Sequence, residues 1–266
     1  GEDWRQCFKE FSETSRFAAS LGQVHEACLH DGRHVAVKLQ YPDMESAVEA
    51  DLKQLDFMLA ILRRMDGSID TSLIREELAD RLREELDYRR EVSMMDAYAV
   101  MLQGMNVRVP SAVSELSTQR LLTMDWCEGV RLFDADGDCN EMAEQLFRAW
   151  WHPLVGYAII HGDPHPGNYT WSPEQRLNLL DYGCVRIFDP DFIDAVITLY
   201  EGIRDHDRDK RAYAYEQWGF ADLSTELMDT LDIWSSFISG PLLDKCTRII
   251  ADDLALGSHG RAEAMA

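Results

Sequence analysis

The chain has 266 residues, with 46% apolar and 10% aromatic side chains, which excludes a disordered polymer and is length enough for two lobes around a sizeable core. Acids outnumber bases 48 to 26, a formal charge of −22. That field excludes a general electrostatic grip on nucleic acid and makes divalent cations natural company.

Cys7, Cys28, Cys127, Cys139, Cys184 and Cys246 are scattered with no CxxC pair, so they read as reduced packing thiols of a cytoplasmic protein. No apolar run approaches the ~18 residues of a spanning helix; the longest candidate is "HPLVGYAII". The expectation is a soluble domain, or the soluble part of something larger, at most peripheral to a membrane.

In chain order, "GQVHEACL" and "RHVAVKLQ" flank "HDG", a hairpin signal. Pro42 then suits the first turn of a helix carrying Met44, Val48, Leu52, Leu55, Leu59 and Leu62 on one stripe, which "DGSIDTS" breaks. A second long helix is expected from about Leu73 to Gln103, with Ile74, Leu78, Leu82 and Leu86 at i, i+4 spacing. Short strands follow in "VRVPSAV" and "QRLLTMDW", and "DADGDCNE" looks like a joint between lobes. The pattern is then helical through "EMAEQLFRAWWHPLVGYAII". "YTW" and "RLNLLDYG" are two more strands joined by "SPEQ", and the remainder reads as helices. The fold class expected is α+β, with a small β-rich N-lobe bearing long helices (1–127) and a larger helical C-lobe (128–266).

Five features fall in the order of the working parts of a protein kinase. They are a small-residue turn in "FAASLGQVH", the strand lysine Lys38 in "VAVK", the acidic helix "EELDYRREV", the loop "HGDPHPGN", and "LLDYG". Asp163 and Asn168 are five positions apart, as in a kinase catalytic loop, and Asp181 follows thirteen later. Each piece alone is weak; the order and spacing together are specific. Phosphoryl transfer needs positioning and charge neutralisation more than covalent help. In this reading Lys38 reaches the ATP phosphates and Asp163 orients or deprotonates the acceptor. Asn168 and Asp181 offer oxygen ligands to Mg2+, while Pro164 and Pro166 stiffen the loop. His161 and His165 could suggest zinc, but no third soft ligand lies near, so loop hydrogen bonding is the better reading.

"HGDxHxxN" also suits small-molecule kinases of the aminoglycoside and choline type. The segments "AASLGQVHEA", "DGRHVAVKLQYP", "EELDYRRE", "HGDPHPGN" and "LLDYG" together resemble the UbiB/AarF atypical kinase-like family, from about Phe17 past Gly183. That resemblance implies a two-lobed protein-kinase-like fold, an ATP and Mg2+ site, and a role in ubiquinone biosynthesis or lipid homeostasis. A lipid or quinone-precursor ligand and a protein partner are implied with it.

It also implies site residues. Ala18, Ala19 and Ser20 match an Ala-rich nucleotide-covering loop that tunes nucleotide selectivity, with Phe17 standing where the family has its first alanine. Glu85 and Asp87 match the ExD motif, and Glu91 falls where the lysine-pairing glutamate belongs. On one continuous helix Asp87 and Glu91 would lie about 40° apart and Glu85 about 120° from Glu91. Otherwise these are three solvated acids on a charged helix.

In the kinase arrangement the backbone of Met124 to Cys127, including Asp125, would hold the adenine, with Trp126 packing rather than stacking on the base. The family's KxGQ segment does not occur, so a fragment, or a member lacking that segment, is expected. Two function classes stand, an atypical kinase or ATPase and a pseudokinase that holds nucleotide without transfer, with a small-molecule kinase of the aminoglycoside or choline type as a third that phosphate appearing on an added amino alcohol or sugar would reveal. The set Lys38, Asp163, Asn168 and Asp181 favours the enzyme.

Overall fold

A computed structural model describes residues 4–65 and 71–243, in two compact units, Gly1–Ile187 and Phe188–Ala266. The expected joint at 127/128 falls within the first unit. Residues 66–70, where the first long helix was expected to break, and Cys246 lie outside the described residues.

The first unit opens on β1 (Glu10–Phe11), β2 (Phe17–Ala19), β3 (Gly22–Cys28) and β4 (His34–Gln40). β3 and β4 pair antiparallel through the Asp31–Gly32 turn, where Gly32 supplies φ +89° and Asp31 accepts the Arg33 N–H at 2.9 Å. β4 sits between β3 and β6 (Leu121–Asp125), which pair both of its edges. Its two faces are covered by different clusters: Val35 and Val37 join Phe8, Ala27, Leu29 and Val113 in one, while Ala36 joins a second around Tyr98, Leu177 and Tyr182. Lys38 shares the Ala36 face and is buried on it.

Between β4 and β6 run α1 (Met44–Met65), α2 (Thr71–Glu85), α3 (Tyr88–Met101) and β5 (Val107–Arg108). The α1 stripe is partly as expected: Val48 and Leu52 pack with Ala79 and Leu86, but Leu62 is exposed. The single helix expected from Leu73 to Gln103 is two. Leu86 and Asp87 turn the chain, Asp87 caps α3 by accepting the Arg89 N–H at 3.0 Å, and the Tyr88 N–H donates across to Gln119 at 2.9 Å. The i, i+4 series holds only in its second half: Leu82 and Leu86 pack with Val48, Leu52 and Ala79, whereas Ile74 and Leu78 are exposed. α3 buries Tyr88, Glu91, Met95, Tyr98 and Met101, one helical face.

After β7 (Val130–Arg131), α4 (Cys139–Tyr157) stops sooner than its apolar run suggested. Ala158 adopts φ +57°, and Ile159–Ile160 becomes β8, paired with β11 (Arg186–Ile187). β9 (Tyr169–Trp171) and β10 (Leu177–Leu179) form the expected hairpin and complete a sheet ordered β5-β10-β9-β7. The second unit contains α5 (Pro190–Arg204), α6 (Arg208–Gln217) and α7 (Thr225–Leu243) around Ala195, Leu199, Ala214, Tyr215 and Met228. The architecture is α+β, and no described helix is long and apolar enough to cross a membrane.

Candidate active site

The Lys38 amine is met by two carboxylates inside the first unit. It donates to both oxygens of Glu91 (2.9 and 3.0 Å) and to Asp181 Oδ2 (3.0 Å), and the Tyr88 ring lies 5.1 Å from it. Burial alone would drive the ammonium toward its neutral form, but Glu91 and Asp181 outweigh it and the Lys38 pKa is raised. Complete burial pushes Glu91 up, opposed by Lys38. Burial also works to raise Asp181, yet Lys38 and the Gly183 N–H together hold it below the ordinary carboxylate value. Glu91 further accepts the Tyr182 N–H at 3.3 Å, so the group is a charged, hydrogen-bonded triad rather than a lone pair. Burial lifts the Tyr88 phenol to about 12, so it stays neutral beside the amine.

Asp163 and Asn168 are held by their own loop. Asn168 Nδ2 donates to Asp163 Oδ2 at 2.7 Å and the His165 N–H to Oδ1 at 3.1 Å. Tyr169, itself fixed by Trp150 at 2.8 Å, donates its hydroxyl to the Asp163 carbonyl at 3.2 Å. The Leu180 N–H donates to the Asn168 carbonyl at 3.0 Å, extending the β9–β10 ladder and setting Asn168 beside the start of "DYG".

His161 is buried, with its ring nitrogens facing the carbonyls of Asp163 (3.1 Å) and Asp181, and burial lowers its pKa. His165 Nδ1 accepts the Gly167 N–H at 3.1 Å. Both histidines therefore serve the loop, and among the described residues no cluster of three or more His, Cys, Asp or Glu could hold a metal. Gly162 is needed here: its φ is +80°, and a Cβ would meet the Cys184 carbonyl at 2.1 Å.

These groups line one cleft of about 560 Å³. Its lining includes Ala18, Ala19 and Ser20, the run Met124, Asp125, Trp126 and Cys127, and Lys38, Glu85, Glu91, Asp163, Asn168 and Asp181. β2 and β3 make the tight turn at Ser20 and Leu21, and Gly22 lies so close to β4 that a Cβ would meet Leu39 O at 2.1 Å. Trp126 stacks on His34 (centroids 5.0 Å) and on Phe17 (6.2 Å). Burial lifts the Cys127 thiol to about 11, leaving it a neutral packing group. A broader groove of about 670 Å³ between Glu10, Arg16, Glu26 and His34 has its central charges already matched, Arg16 to Glu26 at 2.6 Å and His34 to Glu26 at 2.8 Å.

The ExD acids separate. The break after α2 invalidates the single-helix angles: Asp87 is the cap of α3, while Glu85 ends α2 and accepts the Cys184 thiol at 3.3 Å. Burial, then Glu85, pushes that thiol to about 12. Sequence reasoning missed Tyr88 and Arg90; their nearest signal was adjacency to Glu91 in "DYRRE".

Residues 1–214 match the family model described as the ABC1 atypical kinase-like domain. The chain is 33% identical over 220 residues to the atypical kinase COQ8B, mitochondrial, of Rattus norvegicus, covering 79% of this chain and 41% of that protein. It is 29% identical over 277 residues to the AarF domain-containing protein kinase 1 of Gallus gallus, covering 98% and 53%. A solved complex of Rv3197 with erythromycin from Mycobacterium tuberculosis superposes with a TM-score of 0.71 at 28% identity, over 91% of this chain and 63% of that one. The chain thus spans about half the length of these curated relatives. With the ordered motifs gathered in one cleft, these matches show a kinase-like fold, and the chain belongs to the ABC1 atypical kinase-like family, the UbiB/AarF group.

Proposed function

We propose that the chain is an Mg2+-dependent atypical kinase or ATPase that hydrolyses ATP or transfers its terminal phosphoryl group to a small or lipidic acceptor. In this reading residues 1–127 cover the nucleotide and 128–266 carry the reacting groups. The observation that carries it is the convergence of Lys38, Glu91 and Asp181 within 3.0 Å on one wall of the cleft that Asp163 and Asn168 also line.

The residues fit the implied metal. Asn168 and Asp181 both offer oxygen-bearing side chains to the cleft, the Leu180 N–H bond to the Asn168 carbonyl ties their segments together, and among the described residues no all-protein cage surrounds them. That suits magnesium, which keeps waters and phosphate oxygens and takes one or two protein ligands. Bound there, the ion would neutralise charge on the phosphates. The chain's own groups do the rest. Lys38, kept protonated by Glu91, presents a fixed positive charge, and Ala18, Ala19 and Ser20 close over the phosphates. The backbone of Met124 to Cys127 faces the base. Asp163, its oxygens fixed by His165 and Asn168, orients the acceptor hydroxyl or water and takes its proton.

The family resemblance supports reading the activity as one that serves ubiquinone biosynthesis or lipid handling, with a lipid or quinone precursor as ligand. A nucleotide-holding switch without transfer is the second reading. One feature favours it: all three Lys38 protons and both Asp163 oxygens are engaged within the protein. ATP turnover by Asp163→Asn separates the two. The enzyme reading expects near-normal ATP binding and turnover slowed ~100-fold or more. Turnover equal to the parent protein would make Asp163 structural, and ATP binding with no turnover in the parent protein itself would favour the switch.

A further inference from the structure

The segment that follows Asp181 is held by a set of contacts the proposed chemistry does not use. Arg90 donates to two carbonyls of that segment, Val185 at 2.9 Å and, more weakly, Gly183 at 3.4 Å. Its guanidinium also meets Glu84 at 3.3 Å, and Glu84 gathers Arg81 (2.9 Å) and Arg186 (3.6 Å) around the same carboxylate. Arg186 is the residue after Val185, so Glu84 touches the segment directly as well as through Arg90. Cys184, between the two carbonyls, donates to Glu85. Every residue from Tyr182 to Arg186 is therefore touched by Glu84, Glu85, Arg90 or Glu91, the groups around the α2–α3 break.

The break makes this geometry. A continuous helix would carry Glu84, Glu85, Arg90 and Glu91 around one axis. Ending α2 at Glu85 and restarting at Tyr88 lets two helix ends converge on one strand of backbone. Arg90 and Glu91 are neighbours in the first turn of α3, and they face different parts of the same segment: Glu91 meets Lys38 and the Tyr182 N–H, Arg90 the carbonyls just beyond. The planar guanidinium meets the two carbonyls from two separate nitrogens held in a fixed fork, a geometry that the single, freely rotating ammonium of a lysine does not reproduce.

We propose that Arg90, oriented by Glu84, is a positioning residue that holds the Asp181–Val185 segment in the conformation presenting Asp181 to the metal. The proposal rests on the reading of Asp181 as a magnesium ligand. Arg90 lies outside the first contacts to metal and nucleotide, so its loss acts on the metal through the backbone, as outer-shell partners do.

The experiment measures ATP binding to the whole chain across a magnesium titration, and separately in EDTA, for the parent protein, Arg90→Ala, Arg90→Lys and Glu84→Gln. For Arg90→Ala the half-saturating magnesium concentration should rise about tenfold, in line with the effect of outer-shell partners on metal sites. Metal-free ATP affinity should stay within about twofold of the parent. Arg90→Lys and Glu84→Gln should shift the magnesium midpoint in the same direction by less, and they carry the test if Arg90→Ala fails to fold. An unchanged magnesium midpoint in folded variants overturns the proposal, as does an equal loss of metal-free and metal-dependent binding, which would make Arg90 a general stabiliser. If the parent protein itself shows no effect of magnesium, the reading of Asp181 has failed rather than the role of Arg90.

Discussion

At the scale of single residues the buried triad sets the sharpest expectations. Removing Lys38 takes away the counter-ion of Glu91, which is 2% exposed and must then either stay charged in a buried site or be protonated on folding, a loss of about 3–5 kcal/mol for a broken buried pair. Lys38→Met should therefore lower the urea midpoint as well as abolish tight ATP binding. Its pH response should differ from the parent's. In the parent, Asp181 is held below 3.8, so its share of stability is present above that value and fades as pH falls through its folded pKa. Lys38 is held above 10.5, so its share is present below that value and fades as pH rises through its folded pKa. Glu91 in Lys38→Met keeps the raising effect of burial and loses the opposing amine. Folding then takes up a proton, and stability should climb as pH falls from 7 toward 5. Urea midpoints at several pH values check this; a variant equally stable at both would show that Glu91 is solvated without Lys38.

At the scale of elements, the fold was legible where side chains carry a local rule. Asp31-Gly32 announced the β3–β4 hairpin, and "SPEQ" the β9–β10 turn. The α2–α3 break was not legible, because Leu82 and Leu86 continue an i, i+4 pattern straight into it. What stops the helix is Asp87 capping Arg89 and the Tyr88 N–H leaving for Gln119, a partner far along the chain. The two-residue strand Ile159–Ile160 was hidden for a similar reason: it follows a helix of the same apolar character, and its partner Arg186–Ile187 lies beyond the loop that bears Asp163 and Asn168.

The candidate site residues were legible from motif order. Their mutual hydrogen bonds were not, since Arg90 and Tyr182 act through backbone groups that no sequence pattern marks. Asp87→Ala tests the cap directly. Losing it should cost about 1 kcal/mol in thermal or urea unfolding. If activity falls far more than stability, Asp87 does more than cap. Gly162→Ala is expected to be severe, because φ +80° and the Cys184 carbonyl at 2.1 Å leave no room for a methyl; stability and ATP binding should fall together.

For the whole molecule, the charge of −22 sets the background against which the cleft works. Self-repulsion among surface acids opposes the compact state, so raising ionic strength with sodium chloride should raise the thermal midpoint. A fall with added salt would mean that attractive surface pairs such as Arg75–Asp56 and Arg83–Glu49 dominate instead. The same acidity attracts magnesium everywhere, so a specific site must be recognised by its coupling to nucleotide and not by metal uptake alone.

That coupling is the most direct test of the account, and calorimetric titration of ATP with and without magnesium measures it. Magnesium should tighten ATP binding to the parent protein, Asp181→Asn should lose most of this gain, and Asn168→Ala, which removes a neutral ligand, should lose less. ATP binding indifferent to magnesium, or magnesium coupling undiminished in Asp181→Asn, would contradict it.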